Sequence, residues 1–407
     1  MRPAMAARKS DKPTVVGERE SRLQGEGVCG NDTSMTGQPA PDNVGPESIG
    51  ITSLMDIANK ARSHPKHRFQ NLYRLLNLPN VVQVWHRLNK NASAGIDKVT
   101  AQDYGTDLYA NLRNLEQRLK DKRYRCKGIR RTFIPKSNGK QRPLGIPALE
   151  DKIVQQAVAD ILKSIFEVDF LACSFAYRPA RGAGDAVASL SANLQWGPFG
   201  YVVESDIRGF FDDVNHDWLL EMLKQRIDDK ALLALINQWL KAKVHRPDGK
   251  AVKPLAGTPQ GGVISPILAN IYLHFALDLW FERKIKPKLR GKSFLLRYAD
   301  DYVLAFQHYR DAKAVYGSLP ARLRKFGLNL AEEKTTMVRF SRFWPSQRRR
   351  LKFLGFEFYW WPGLDGKPRV LRRTALGKLK SLRQSLTEWI KQSRQKRLYQ
   401  LARACSH

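Results

Sequence analysis

Apolar positions along this chain switch repeatedly between helical and strand periods. Across residues 53–88 they recur at helical spacing, with Leu72, Leu75 and Leu76 followed by Val82, Val84 and Trp85, and Pro79 interrupts them. Proline removes an amide donor and clashes with the preceding turn, so two helices meeting at Pro79 are predicted. Leu112, Leu115 and Leu119 mark another helix, and residues 151–166 a further, amphipathic one. Residues 131–147 read as strand, turn and strand around Ser137-Asn138-Gly139, a hairpin signal. A short apolar strand covers 201–205, helical spacing returns over 216–240, and 294–306 reads as two β runs joined through Ala299-Asp300-Asp301. Residues 351–360 look like one last hairpin strand, and Leu376, Leu379, Leu382, Leu386 and Ile390 share one helical stripe. Helices and strands mix without a fixed repeat, which favours an α+β fold over a doubly wound one.

Composition adds a partner to this outline. The chain has 407 residues, 70 Lys+Arg against 38 Asp+Glu, and a formal net charge of +32. A surplus of that size calls for a polyanion, nucleic acid first and an anionic membrane surface second. No apolar run is long enough to span a bilayer, so a spanning segment is not expected. Cys29, Cys126, Cys173 and Cys405 lie far apart with no C-x-x-C, which argues against a disulfide framework or a zinc site and suits a reducing, cytoplasmic setting. Residues 1–50 carry a charge of about −1, are rich in Gly, Pro, Ser and Thr, and read as a flexible leader. Residues 341–407 hold 17 Lys/Arg and three Asp/Glu, interleaved with Trp344, Phe353, Trp360, Trp361, Trp389 and Tyr399. Cations beside stacking rings suit phosphates and bases.

The acidic residues sharpen the chemistry. Asp300-Asp301 joins two almost wholly apolar runs, and an exposed turn is the simplest account of such a pair. A second acid suggests more: Tyr201-Val-Val-Glu-Ser-Asp206 is a strand ending in Asp, and pairing beside the 294–306 hairpin would bring Asp206 to Asp300. Hard oxygens from one or two carboxylates, completed by water and phosphate, suit Mg²⁺. Two such ions, roughly 3.5–4 Å apart, activate an attacking 3′-hydroxyl and stabilise a pyrophosphate leaving group.

Tyr298-Ala-Asp-Asp301 resembles the active-site hairpin of reverse transcriptases, and the ordered set of motifs resembles the enzyme encoded by bacterial group II introns. His67-Arg-Phe-Gln-Asn-Leu-Tyr73 and Ala94-Gly-Ile-Asp97 are similar to that family's N-terminal extension. Ile134-Pro-Lys-Ser-Asn-Gly-Lys-Gln-Arg-Pro-Leu-Gly-Ile-Pro147, Ser174-Phe-Ala-Tyr-Arg-Pro179 and Ser205-Asp-Ile-Arg-Gly-Phe-Phe-Asp212 follow in family order. Then come Thr258-Pro-Gln-Gly-Gly-Val-Ile-Ser-Pro-Ile-Leu-Ala-Asn270, the Tyr298 hairpin, Gly327-Leu-Asn-Leu330 with Lys334-Thr335, and Phe353-Leu-Gly-Phe356. The resemblance implies a right hand: a leader over 1–50, an N-terminal extension and the start of the fingers over 51–130, and fingers and finger-palm over 131–200. A palm on an antiparallel sheet over 201–370 and a partial helical thumb over 371–407 complete it.

The same resemblance assigns roles. Asp206, Asp300 and Asp301 are the catalytic carboxylates, with the Ile207 carbonyl as a further metal ligand for two Mg²⁺ ions, Mn²⁺ being a substitute. Lys136 and Arg142 at the fingertips approach the incoming deoxynucleoside triphosphate. Phe211 is the ring beneath its sugar, excluding a 2′-hydroxyl, and Gln260 contacts it near base and sugar. Arg178 and Lys334 are expected on template or primer phosphates. Glu204 is read as structural, and Asp212 and Asp213 as caps of the following helix. The implied activity is RNA-directed DNA synthesis on an intron RNA template from a DNA primer or target. An RNA-binding, maturase-like splicing factor or a relic without useful polymerisation is the alternative. Only one thumb-like helix, residues 374–401, follows the palm, so processivity and splicing assistance are the expected weak points. No His/Cys cluster suited to a nuclease metal site accompanies it.

Overall fold

The computed structural model describes residues 53–135, 141–258 and 261–393. The leader, the Ser137-Asn138-Gly139 turn, Lys136, Gln260 and the chain beyond 393 lie outside these residues. At the centre stands a four-stranded antiparallel sheet in the order Thr336–Arg339, Tyr201–Ser205, Asp301–Phe306, Ser293–Tyr298. Its strands read as nearly continuous apolar runs because both faces are covered. Successive side chains point to opposite faces, and the core divides accordingly. Val203, Tyr302, Leu304, Phe306 and Leu295 join the larger hydrophobic cluster, while Val202, Val303, Ala305 and Leu296 join a second one.

Helices Leu149–Phe166, His216–Lys224, Ser265–Leu273 and Tyr309–Lys325 contribute to the first cluster. Helix Leu149–Phe166, expected to be amphipathic, is instead buried almost all round, including Asp151, Lys152 and Gln155. It packs against helices Leu54–Ser63, Leu78–Arg87 and Ser265–Leu273. This one cluster extends from Ile57 to Leu328, so the implied extension, fingers and palm share a core. The described residues all fall in one compact unit. The second cluster lies under helix Ala183–Trp196 and a three-stranded antiparallel sheet, Leu351–Phe353, Phe356–Pro362 and Pro368–Thr374.

Local chemistry explains where expectation and structure part. Pro79 does not divide two abutting helices; it sits in the first turn of Leu78–Arg87, where its missing amide costs nothing, and Asn77 caps that helix. The preceding α-helix has already ended at Ser63, and Leu72–Leu75 form only a short 3-10 turn between the two. Residues 216–240 form two helices, His216–Lys224 and Lys230–Leu240, because Asp229 caps the second by accepting the Leu232 amide at 3.0 Å. The expected caps Asp212 and Asp213 belong to a short helix, Phe210–Asp213, and Asn215 is the cap, accepting the Trp218 amide at 3.0 Å. Residues 351–360 are two strands, split by Leu354 and Gly355 at φ +48° and +79°. The fingers hairpin pairs Ile129–Pro135 with Gln141–Ile146 as expected. Helix Leu376–Ser393 carries the expected stripe, but Leu382 and Leu386 are 65% and 52% exposed.

Candidate active site

The Tyr201–Ser205 strand ends where Asp206 begins, and its neighbour starts at Asp301. Register sets the rest: Ser205 lies opposite Tyr302, with their hydroxyls 2.9 Å apart, so Asp206 and Asp301 emerge together at one end of the sheet. Asp300 occupies the two-residue turn between Tyr298 and Asp301. The first turn residue, Ala299, is buried and has φ +55°, a region that costs a Cβ-bearing residue roughly 1–3 kcal/mol.

Burial raises the pKa of Asp300, and the Asp206 charge adds to it. Asp301 opens onto the cleft yet has lost much of its bulk hydration; that loss, with repulsion from Asp300 and Asp206, pushes its carboxyl up to about 6. A cation touches the group. The Lys334 ammonium, on the turn Glu332–Lys334, is ion-paired with the Asp206 carboxylate, and that hydrogen bond raises its own pKa. The turn is held in place by the Ala331 amide, which donates to the Asp206 carbonyl at 2.9 Å. Ile207 is buried in a two-residue ladder opposite Leu330.

The hairpin's rigidity comes from Arg297, which is wholly buried and has no mark in the sequence pattern. Its Nε and one Nη donate to both oxygens of Asp278 at 2.8 and 2.7 Å. The remaining donors reach the Ser174 hydroxyl at 2.8 Å, the Asn270 side-chain oxygen at 3.1 Å and the Ala299 carbonyl at 3.1 Å. All five guanidinium N–H groups are thereby used, the condition under which a buried charge is tolerable. Asn270 in turn donates to the Ala176 carbonyl at 2.7 Å. Three of the motifs read from the sequence therefore meet at one guanidinium, which clamps the carbonyl of the strained Ala299 turn. Asp278 ends a π-helical turn, His274–Asp278, a widened geometry often found beside functional sites.

The other expected site residues divide. Arg142, exposed on the fingers strand opposite Ile134, lies close enough for its charge to act on Asp300. Tyr177, held at φ +58° and half exposed, is coupled to Asp300 as well; its hydroxyl pKa is raised first by burial and then by that carboxylate. The Ser174–Pro179 stretch stands out in the sequence, but nothing in it announces that Tyr177 lies beside the site. Phe211 is half-buried with its ring edge-on to Phe210, and its carbonyl accepts the Thr258 amide at 2.7 Å. The Thr258 loop presses close on both sides. A Cβ on Gly257 would stand 2.7 Å from the Asp212 carbonyl, and one on Gly261 2.8 Å from the Gly145 carbonyl. Both glycines have positive φ and leave no room for a Cβ, so the loop packs closer to its neighbours than a residue with a side chain would allow.

Arg178 folds inward. Its side chain is 5% exposed and is spent on Glu167 at 2.8 Å and on the Leu171 and Ser174 carbonyls at 2.7 and 2.9 Å. It ties the Ser174 loop to the helix before it, a role that spacing alone does not reveal. Lys334, expected on a phosphate, instead neutralises Asp206. Glu204 accepts the Lys352 amide at 3.0 Å, joining the palm sheet to the Leu351–Phe353 strand, as a structural residue should. Between these two sheets opens a groove of about 1050 Å³, lined by Asp206, Asp301 and Lys334 and by Arg350, Lys352 and Lys378.

Carboxylates at a strand end and a hairpin turn of an antiparallel sheet, with Arg142 of the basic Ile129–Ile146 hairpin within electrostatic reach of them, match the arrangement that the resemblance to reverse transcriptases implies. The chain belongs to the reverse transcriptase (RNA-dependent DNA polymerase) family, whose sequence profile matches residues 134–358. It is 33% identical to protein YkfC of Escherichia coli over 61% of this chain and 73% of that protein. It is 37% identical to the group II intron-encoded protein LtrA of Lactococcus lactis over 59% of this chain and 40% of that protein, so it spans less than half of LtrA. A solved telomerase from Candida albicans superposes with a TM-score of 0.45 at 14% identity, over 63% of this chain and 48% of that one.

Among the described residues no three of His, Cys, Asp and Glu stand together as a ready-made metal cage. The donor chemistry nevertheless fits Mg²⁺, which is commonly held by one or two carboxylates with waters and substrate phosphates. Asp206 and Asp300 are two such carboxylates, and their surplus negative charge is what a hard cation neutralises. Among the described residues, no helix is long and apolar enough to cross a membrane.

Proposed function

We propose that this chain is an RNA-directed DNA polymerase of the group II intron type, adding deoxynucleotides to a primer annealed to RNA. The convergence of Asp206, Asp300 and Asp301 at one end of the palm sheet, opposite Arg142, carries this reading. In the reaction the primer 3′-oxygen bonds to the α-phosphorus as the bond to pyrophosphate breaks. Asp206 and Asp300 would hold Mg²⁺, which supplies positive charge to the transferring phosphates and lowers the pKa of the attacking hydroxyl. Lys334 keeps Asp206 paired and oriented until substrate arrives. Arg142, together with Lys136, draws in the triphosphate, and bidentate guanidinium geometry suits it. Phe211 and Gln260 frame the sugar. Arg297 holds the turn bearing Asp300 in a single conformation.

The similarity to LtrA favours an intron RNA as template and a DNA strand as primer or target. A maturase-like factor without polymerisation has less in its favour, because a protein that only binds RNA has no use for crowded carboxylates that weaken its attraction to phosphate. Primer extension on poly(rA)/oligo(dT) with Mg²⁺ decides between them. The polymerase reading expects deoxythymidine incorporation that stops when EDTA is added. RNA binding with no extension in Mg²⁺ or Mn²⁺ would overturn it.

A further inference from the structure

At the end of the palm sheet opposite the carboxylates, four large aromatic side chains stand in solvent. Trp196 is 75% exposed, Phe343 59%, Trp344 66% and Trp361 47%. They belong to different elements that contacts between their neighbouring residues tie together. Arg342 donates to the Trp196 carbonyl at 3.3 Å, and Gln195 next to it exchanges hydrogen bonds with Pro368 and Val370 at 3.1 and 2.7 Å. Trp361, paired with Arg369 on that same hairpin, lines a small cavity with Pro345, the neighbour of Trp344. Two of the rings are already covered by guanidinium groups, Arg339 over Trp344 at 5.3 Å and Arg342 over Phe343 at 4.8 Å. Asp365, the carboxylate of the adjoining turn, is neutralised by Arg369 at 3.3 Å. Arg339 pairs with Tyr201, five residues from Asp206 along an extended strand, so the patch lies about 17 Å from the carboxylates.

A cluster of exposed rings such as this marks a binding site, and the company it keeps names the partner. Flat rings stack on unpaired bases, and the arginines beside them meet phosphates or extend the stack. A duplex presents no free base faces, and an aliphatic protein surface gives the arginines nothing to neutralise. We infer that this aromatic–arginine face is a second nucleic-acid site that takes single-stranded RNA, separate from the catalytic groove. The inference rests on the polymerase reading only in choosing RNA, the strand that stays unpaired until it is copied.

The test uses the full chain with its catalytic groove saturated by an unlabelled template–primer duplex, and a fluorescent oligouridylate as the probe. Phe343→Ala with Trp344→Ala, and separately Arg339→Gln with Arg342→Gln, should each weaken oligouridylate binding about tenfold or more. Melting temperature and extension of a short template–primer should stay at wild-type values, since these side chains lie in solvent and away from the reacting groups. Unchanged oligouridylate affinity in both double variants would overturn the inference. So would tighter binding of oligothymidylate than of oligouridylate, or a wild-type dimer that the aromatic substitutions dissociate without affecting the probe. If the wild type fails to extend any primer while the substitutions still cost oligouridylate binding, the polymerase reading falls and the RNA site stands.

Discussion

Arg297 and Asp300 are three residues apart, yet they anchor charge clusters of opposite design. The first is closed: one guanidinium, wholly buried, uses its five donors on Asp278, Ser174, Asn270 and Ala299. The second is open: of its three carboxylates Lys334 touches Asp206, and Arg142 acts on Asp300 at longer range. Burial makes both expensive, but only the first offsets that cost from within the protein. The electrostatic deficit of the second is what a cation and a triphosphate would relieve. Saturated polarity makes the scaffold, and polarity left unsaturated makes the site.

Four measurements put that contrast at risk. The largest effect is expected from Asp300→Asn, which should reduce primer extension by at least about 100-fold while RNA binding and melting temperature hold. A variant retaining a third of wild-type extension would remove Asp300 from the reaction. Arg297→Met comes next, because it strands the buried Asp278 carboxylate and should lower unfolding free energy by about 3–5 kcal/mol in denaturant titrations. Adding Asp278→Leu should restore most of that stability. Extension should stay low, since the Ala299 carbonyl has lost its clamp; full recovery of extension would reduce the cluster to simple packing.

Phe211→Ala probes the boundary between scaffold and site. If the ring guards the sugar, relative kcat/KM for ribonucleotides rises while deoxynucleotide use falls modestly. If it serves only the core, both substrates suffer equally and stability drops toward the roughly 3–5 kcal/mol of a buried phenylalanine. Melting curves beside incorporation of both nucleotide types separate these outcomes.

The smallest effect concerns pH. The Asp301 pKa is raised in the folded chain to about 6, so the folded state binds this proton more tightly than the unfolded state. Its contribution to stability is therefore complete below the usual carboxylate pKa and is lost as pH rises through about 6. In EDTA, Asp301→Asn should match the wild type near pH 4 and exceed it slightly above pH 6.5. Because the residue keeps access to the cleft, the gain is modest. A gain that instead shrank with rising pH would contradict repulsion among the three carboxylates.

Much of the candidate site is legible in the order of residues alone. Tyr201–Ser205 and the 293–306 hairpin are dense in β-branched and aromatic residues, and an acid at the end of each apolar run stands out because burial there would be costly. The helices over 108–120 and 149–166 follow from spacing, although not the burial of the second on every side.

Contacts between residues far apart in the chain are a different matter. Arg297 meets Ser174 across 123 residues, Asn270 across 27 and Asp278 across 19, and nothing in the local pattern of any of them announces a buried cation. Arg178 shows the converse, an arginine in a distinctive motif that folds inward to Glu167. Lys334, expected on phosphate, lies on Asp206 because the Ala331 amide pins its turn beneath that strand. Period and composition act within a turn or a strand, so they specify the elements and the sign of the charge each carries. Which charges cancel inside the protein and which stay open to a substrate depends on how distant elements pack, and that is settled only when the chain is folded.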